Sequence, residues 1–276
     1  MLKVNIFEFT QLSGSIMTIK LTMQHKEIFE RDGCCVIEGV LTPSEVNLIR
    51  TRVLELSRIE EEAGTAHFYS EGKSAQRVWN LINKDPVFRD IIHKPIIIEC
   101  MDWLFDRDTS HQKYYLSSFQ AHLLNPGAQS MKLHIDTPVP EPLPDWIIKA
   151  NTIWVIDEFT ETNGSTEYLP GSHKFKHKPT AEDQSRTDLI TAIAPIGSIL
   201  LTHGALWHRG GENKSNKTRI GLLGSFAASY TREIANEENY SAVLDSKVLE
   251  QESDTFRAII GPEHGIRPGA MHKHQS

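Results

Sequence analysis

Val46, Ile49, Val53 and Leu56 return at every third or fourth position, the spacing of a buried stripe along one side of an α-helix. Thr42-Pro43-Ser44-Glu45 supplies the start of that helix: Thr42 as N-cap, Pro43 in the first turn and Glu45 as the reciprocal carboxylate of a capping box. A shorter helix is predicted over 22–30, stopped at Asp32-Gly33, and a compact strand rich in β-branched residues follows over 34–41. Further helical stretches are predicted over 77–83, 86–93 and from Pro95 as far as Phe105, with the polar, Gly-containing residues 60–75 as a loop near an active-site mouth. From Tyr114 onward the texture changes. Short strand-like runs at 114–124, 152–157, 165–169, 190–194, 198–202 and 220–227 stand between Gly, Pro and Asn signals. Helices first and many short strands afterwards predict a mainly β (α+β) fold, a sandwich or barrel core with flanking helices. Without repeats or low-complexity tracts, residues 17–276 read as one domain. Residues 1–16, ahead of Met17, read as an irregular extension.

Composition narrows the partners. Apolar residues make up 39% and charged residues 24%, ordinary for a soluble globular chain able to bury a core. A net charge of -7 argues against nucleic-acid or anionic-membrane partners, which need clustered basic surface. Cys34, Cys35 and Cys100 make neither a zinc spacing nor a disulfide framework and are expected to be buried free thiols. No apolar run approaches the ~18 residues of a membrane span. The first 15 residues lack the pattern of a secretory signal, so a cytoplasmic location is expected.

The chemistry begins at His134-Ile135-Asp136. On extended backbone, residues two apart face one side, so both side chains can reach one ion. A later histidine would complete a three-ligand face, and two His with one carboxylate suit non-heme Fe(II). His208 and His203 compete for that third place. Arg219 lies eleven residues beyond His208, and its planar fork suits a carboxylate. A chain with 13 histidines contains such triplets by chance, so the neighbouring sequence decides their weight.

That neighbourhood is informative. Asp32-Gly33, Arg77-Val78-Trp79-Asn80-Leu81, the His-x-Asp triplet, Asn163-Gly164, Leu169-Pro170-Gly171-Ser172-His173 and the pair His208 and Arg219 occur in one order. From about residue 24 to 240 the chain closely resembles the phytanoyl-CoA dioxygenase family of Fe(II)/2-oxoglutarate-dependent oxygenases. The resemblance implies a double-stranded β-helix (jelly-roll) core with His134, Asp136 and His208 as iron ligands. It implies Arg219 as a bidentate partner of the distal carboxylate of 2-oxoglutarate, with Thr166 and Asn80 as further cosubstrate contacts. Met131 stands where some relatives carry a glutamine, with Gln129 as a possible substitute for that contact. Gln120 and Trp154 are candidates for the substrate pocket.

The implied activity is O2-dependent hydroxylation or desaturation of a small organic metabolite, in a biosynthetic setting, with decarboxylation of 2-oxoglutarate to succinate and CO2. In related halogenases a small residue takes the place of Asp136, so a carboxylate here argues against halogenation. The alternatives are a non-catalytic jelly-roll protein that binds metal or ligand, and a Zn-dependent hydrolase, in which Arg219 has no evident role. His173 reads as structural, as does the pair Asp157-Glu158, whose side chains would face opposite sides of a strand. Met271-His272-Lys273-His274 reads as a tail. The substrate and the oligomeric state are left open by the sequence.

Overall fold

Along the strand that begins at Tyr114, alternate side chains separate by chemistry. Phe119, Ala121 and Leu123 join the main apolar core, whereas Ser118, Gln120 and His122 line a cavity. The same division by parity runs through the neighbouring strands and sets the architecture of the computed structural model. A large antiparallel sheet carries helices on its outer face and looks across the cavity at a smaller sheet. The structure describes residues 19–105, 114–229, 231 and 246–260. The extension expected at 1–16, the tail at 271–274 and almost all of the segment after Arg232 up to Ser246 lie outside them.

The large sheet contains β1 (Cys34–Ile37), β2 (His67–Phe68), β3 (Ala75–Val78), β4 (Tyr114–Leu124), β5 (Lys149–Val155), β8 (Ile199–His203) and β10 (Arg219–Ala228). Its spatial order is β1-β8-β5-β10-β4-β3-β2. The small sheet places β6 (Thr166–Tyr168) between β7 (Ile190–Thr191) and β9 (His208–Gly210). An isolated bridge from His134 to His208 widens it by one position. From β4 onward the chain crosses repeatedly between the sheets, the winding of a double-stranded β-helix, so the expected jelly-roll core is present.

Capping chemistry starts the helices where the sequence marks them. α1 (Met23–Asp32) is capped by Thr22 and closed by Gly33 in the left-handed region (φ 80°). α2 (Pro43–Glu62) has the full Thr42/Glu45 capping box and buries Val46, Ile49, Val53 and Leu56. Asp85 caps α4 (Pro86–Ile92) by accepting the Val87 N–H at 2.9 Å, and α5 (Pro95–Leu104) also starts on a proline. Two short helices, α6 (Ser246–Gln251) and α7 (Asp254–Ile260), follow. Phe256, Ile259 and Ile260 join the main core.

Several expected boundaries move. The helix expected over 77–83 is a single turn, α3 (Leu81–Lys84). Arg77 and Val78 belong to β3, with Val78 in the core and Arg77 lining the cavity. The loop expected over 60–75 is the end of α2 followed by the hairpin of β2 and β3, which brings Tyr69 to the cavity. β1 stops at Ile37 because Glu38 and Gly39 turn. All three cysteines are free and buried, and burial pushes the Cys35 thiol up to about 12.

Candidate metal and cosubstrate site

Two backbone carbonyls set the state of the two histidines. His134 Nδ1 lies 2.8 Å from the Lys132 carbonyl and His208 Nδ1 lies 2.9 Å from that of Leu206. A carbonyl only accepts, so each Nδ1 carries the hydrogen and Nε2 is the ring atom left to ligate an ion. The bridge between the two residues, with both N–H···O distances at 3.0 Å, sets the rings 4.5 Å apart. Asp136 completes the group: Oδ1 is 3.6 Å from His134 Nε2 and Oδ2 is 3.3 Å from His208 Nε2. One potential ligand atom from each of the three residues lies within 4.8 Å of the others, a donor set that suits non-heme iron.

The polypeptide around Asp136 is fixed as firmly. The N–H groups of Asp136 and Thr137 both donate to the Gly204 carbonyl, at 2.8 and 2.9 Å. Gly204 N–H in turn donates to the Lys149 carbonyl on the large sheet. No other residue fits at 204: a Cβ would sit 2.6 Å from that Lys149 oxygen and 2.8 Å from Thr137 Oγ1. Burial opposes ionisation of Asp136, but the two imidazoles outweigh it and hold its carboxyl well below the usual range. Burial likewise lowers His208, and the Asp136 charge overcomes it to raise the imidazole.

A cationic end lies at the other side of a cavity of about 460 Å³. Arg219 opens β10, is 6% exposed and lays its guanidinium 4.6 Å over the Phe159 ring. Its Nη2 donates to the Gly164 carbonyl, whereas its buried Nε has no partner. Burial pushes its pKa down to about 10, so it remains a cation at neutral pH. Arg77 Nε and His122 Nε2 also line this cavity as buried atoms without partners. Arg77 stacks 4.5 Å over Tyr69, whose hydroxyl is 3.3 Å from His122 Nδ1. Unpartnered buried N–H groups of this kind are costly unless something anionic meets them.

The other candidates divide. Thr166 and Gln120 line the cavity, Gln120 with a buried Oε1 that lacks a partner. Asn80 sits in the left-handed region (φ 52°) where β3 turns into α3, with a buried Oδ1 that lacks a partner, and its neighbours Arg77 and Trp79 line the cavity. Trp154 is displaced by parity. Asn151 and Ile153 turn inward, so Trp154 turns to the helices, fully buried near Phe119, with Nε1 donating to Thr152 Oγ1 at 3.2 Å. Met131 reaches the cavity, whereas Gln129 is exposed and donates to the Gly127 carbonyl. His203 is outside the ligand group; its Nδ1 accepts the Ala205 N–H and its ring lies 5.1 Å from His173. Asp157 accepts from Arg50 and from the Ile220 N–H, a structural role. Tyr69 and Arg77 are among the lining residues to which the sequence assigned no role, and His122 shares the inward strand face with Gln120. The alternation of Gln120, His122 and Leu124 along β4 is the sequence signal for that shared face.

The profile of the phytanoyl-CoA dioxygenase (PhyH) family matches residues 29–221 of the 276. The chain belongs to this family. It is therefore an Fe(II)/2-oxoglutarate-dependent dioxygenase by membership. Among its family relatives is the dioxygenase af480 of Aspergillus fumigatus, 28% identical over 84% of this chain and 74% of that protein. The multifunctional dioxygenase prhA of Penicillium brasilianum is 25% identical over 84% of this chain and 80% of that protein. Among solved structures, HygX from Streptomyces hygroscopicus, bound to nickel, 2-oxoglutarate and hygromycin B, superimposes with a TM-score of 0.61. That likeness is at 17% identity over 82% of this chain and 97% of HygX. The non-heme α-ketoglutarate-dependent carbocyclase SnoK from nogalamycin biosynthesis gives 0.62 at 17% identity, over 79% and 89%. Both share the fold of the family.

Proposed function

We propose that His134, Asp136 and His208 hold Fe(II), that Arg219 holds the distal carboxylate of 2-oxoglutarate, and that the enzyme hydroxylates or desaturates a small organic metabolite. The observation that carries this reading is the pairing of two imidazole Nε2 atoms and one carboxylate with a buried guanidinium whose Nε has no partner. Iron held there would, with 2-oxoglutarate and O2, supply the oxidising power for a C–H bond while the cosubstrate is decarboxylated to succinate and CO2.

The chain's own residues supply position and exclusion of water. The Lys132 and Leu206 carbonyls hold a hydrogen on each Nδ1, which leaves both Nε2 atoms turned toward Asp136. Arg219, stacked on Phe159 and tethered to Gly164, presents its remaining N–H groups to an anion in a buried setting where such a bond is strong. Thr166 and Gln120 bring a hydroxyl and an amide to the same cavity. On the substrate side, Ile153 and Leu223 alternate with Ser118 and Ser225, a lining suited to a molecule with both hydrocarbon and oxygen functions. The fungal relatives named as dioxygenases, and SnoK from nogalamycin biosynthesis, support a role in biosynthesis. Zinc hydrolysis would leave the buried Arg219 without a task.

Anaerobic titration with Fe(II) and 2-oxoglutarate tests the reading through the metal-to-ligand charge-transfer absorption. The wild type should develop the band, His208→Ala should lose it, and Arg219→Ala should need at least about tenfold more 2-oxoglutarate, the worth of a lost charge-assisted pair. A folded wild type without the band refutes the assignment. Loss of iron in His203→Ala with retention in His208→Ala would transfer the third ligand to residue 203.

A further inference from the structure

Four side chains stand level across four neighbouring strands on the inner face of the large sheet: Ser118 on β4, Ser225 on β10, Asn151 on β5 and Thr202 on β8. The next level toward Arg219 reads Gln120, Leu223, Ile153 and Leu200, so the polar row is confined to one height. It ends beside Asp136. Asn151, 1% exposed, places Nδ2 at 2.7 Å from Asp136 Oδ2, and Ser225 Oγ is 2.7 Å from Asn151 Oδ1.

Chemistry gives this row a single direction. A carboxylate accepts and cannot donate, so the Asn151 amide must turn its NH2 group to Asp136. Its carbonyl then faces Ser225, whose hydroxyl must donate to it. Among the described residues, the Asn151 amide donates to the Asp136 carboxylate at 2.7 Å, while both imidazoles face that carboxylate through Nε2. Rotation of the carboxylate would therefore break a charge-assisted bond and leave the buried Asn151 NH2 only its long 3.5 Å contact with Thr202 Oγ1. The side chain is held with its oxygens toward both Nε2 atoms, although Asp136 is on irregular backbone outside any strand.

We infer that Asn151 is the positioning residue for the Asp136 carboxylate and that Ser225 fixes the orientation of Asn151. The inference rests on the reading of Asp136 as a metal ligand. Asn151 contacts neither metal nor cosubstrate; it acts by removing the rotational freedom that Asp136 would otherwise lose on binding an ion. Partners of this kind, one bond beyond a ligand, are typically worth about 10- to 100-fold in metal affinity.

Titration of the metal-free protein with Mn(II), followed by the electron paramagnetic resonance signal of free Mn(II), needs neither 2-oxoglutarate nor turnover. Asn151→Leu, which keeps the volume and removes the donor, should raise the Mn(II) dissociation constant about 10- to 100-fold. Ser225→Ala should raise it by a smaller factor, and Ser225→Thr, which restores a hydroxyl, should return it toward the wild-type value. Circular dichroism and the melting point of the metal-free variants separate lost affinity from lost fold. A folded Asn151→Leu protein with wild-type affinity overturns the inference while leaving the ligand assignment intact. Should that variant not fold, Ser225→Ala decides, and an unchanged constant there overturns it equally. A wild type that takes up no Mn(II) overturns the ligand assignment and this inference together.

Discussion

His203 and His208 are five residues apart and alike in the sequence, yet their surroundings give them opposite chemistry. His208 faces a carboxylate, whereas His203 is packed between the rings of Phe29 and His173 with no anion beside it. Burial, with His173 adding to it, pushes His203 down to about 3. The folded pKa thus lies below the unfolded value near 6.5, and the folded state keeps the ring neutral. Between those values the unfolded chain binds the extra proton, so stability is present in full above about pH 6.5 and is lost as the pH falls toward 3. The slope from this one group is at most about 1.4 kcal/mol per pH unit. His203→Asn keeps an acceptor for the Ala205 N–H and removes the titration, so urea unfolding of the metal-free protein at pH 7, 6 and 5 should show a shallower loss in the variant. Equal slopes would show that His203 titrates as an ordinary exposed histidine.

At the level of elements, Asp157 ties the start of β10 to the end of β5. Its N–H donates to the Ile220 carbonyl, its Oδ2 accepts the Ile220 N–H at 2.8 Å, and its Oδ1 accepts from Arg50 of α2 at 3.0 Å. The residue next to Ile220 is Arg219, so this clasp sets where the cavity's guanidinium emerges. Asp157→Ala leaves the Ile220 N–H without its side-chain acceptor and should cost about 1–3 kcal/mol. It should also weaken 2-oxoglutarate binding, while Mn(II) affinity without cosubstrate stays as in the wild type. Asp157→Asn, which keeps an acceptor for Ile220, should do less on both measures; a uniform fall in metal and cosubstrate affinity would instead mean general loosening. Sequence patterns made much of this level visible. The caps at Thr42 and Gly33 and the strand at 114–124 follow from local chemistry, and β4 ends where expected. β9 is three residues long, too short for alternation to show, and the turn of Trp154 to the core is hidden from the sequence because motif order carries no information about strand parity. The cluster of Tyr69, Arg77 and His122 joins β3, β4 and the hairpin before them, contacts that only the folded sheet creates.

Across the whole molecule, the proposed ligands connect segments that the chain keeps far apart. His134 and His208 belong to the small sheet's bridge, Asp136 is tied through Gly204 and Asn151 to the large sheet, and Arg219 begins the strand between β4 and β5. An ion held by the three would fasten the two sheets, and the unfolded chain offers no such constellation. Metal binding must then stabilise the folded state by about 2.7 kcal/mol at a free concentration one hundred times its dissociation constant. For a chain of this size that corresponds to a rise of about 5–10 °C in the melting temperature, at roughly 2–4 °C per kcal/mol. Cosubstrate should add a further rise only when metal is present, because its distal carboxylate meets Arg219 while its other end depends on the ion. Scanning calorimetry with Mn(II), 2-oxoglutarate and both together resolves the order. His208→Ala should abolish both rises, and Arg219→Ala should keep the first and lose most of the second. A full rise from 2-oxoglutarate alone would place its affinity in the cationic end of the cavity, Arg219 with Arg77, and detach cosubstrate binding from the ion.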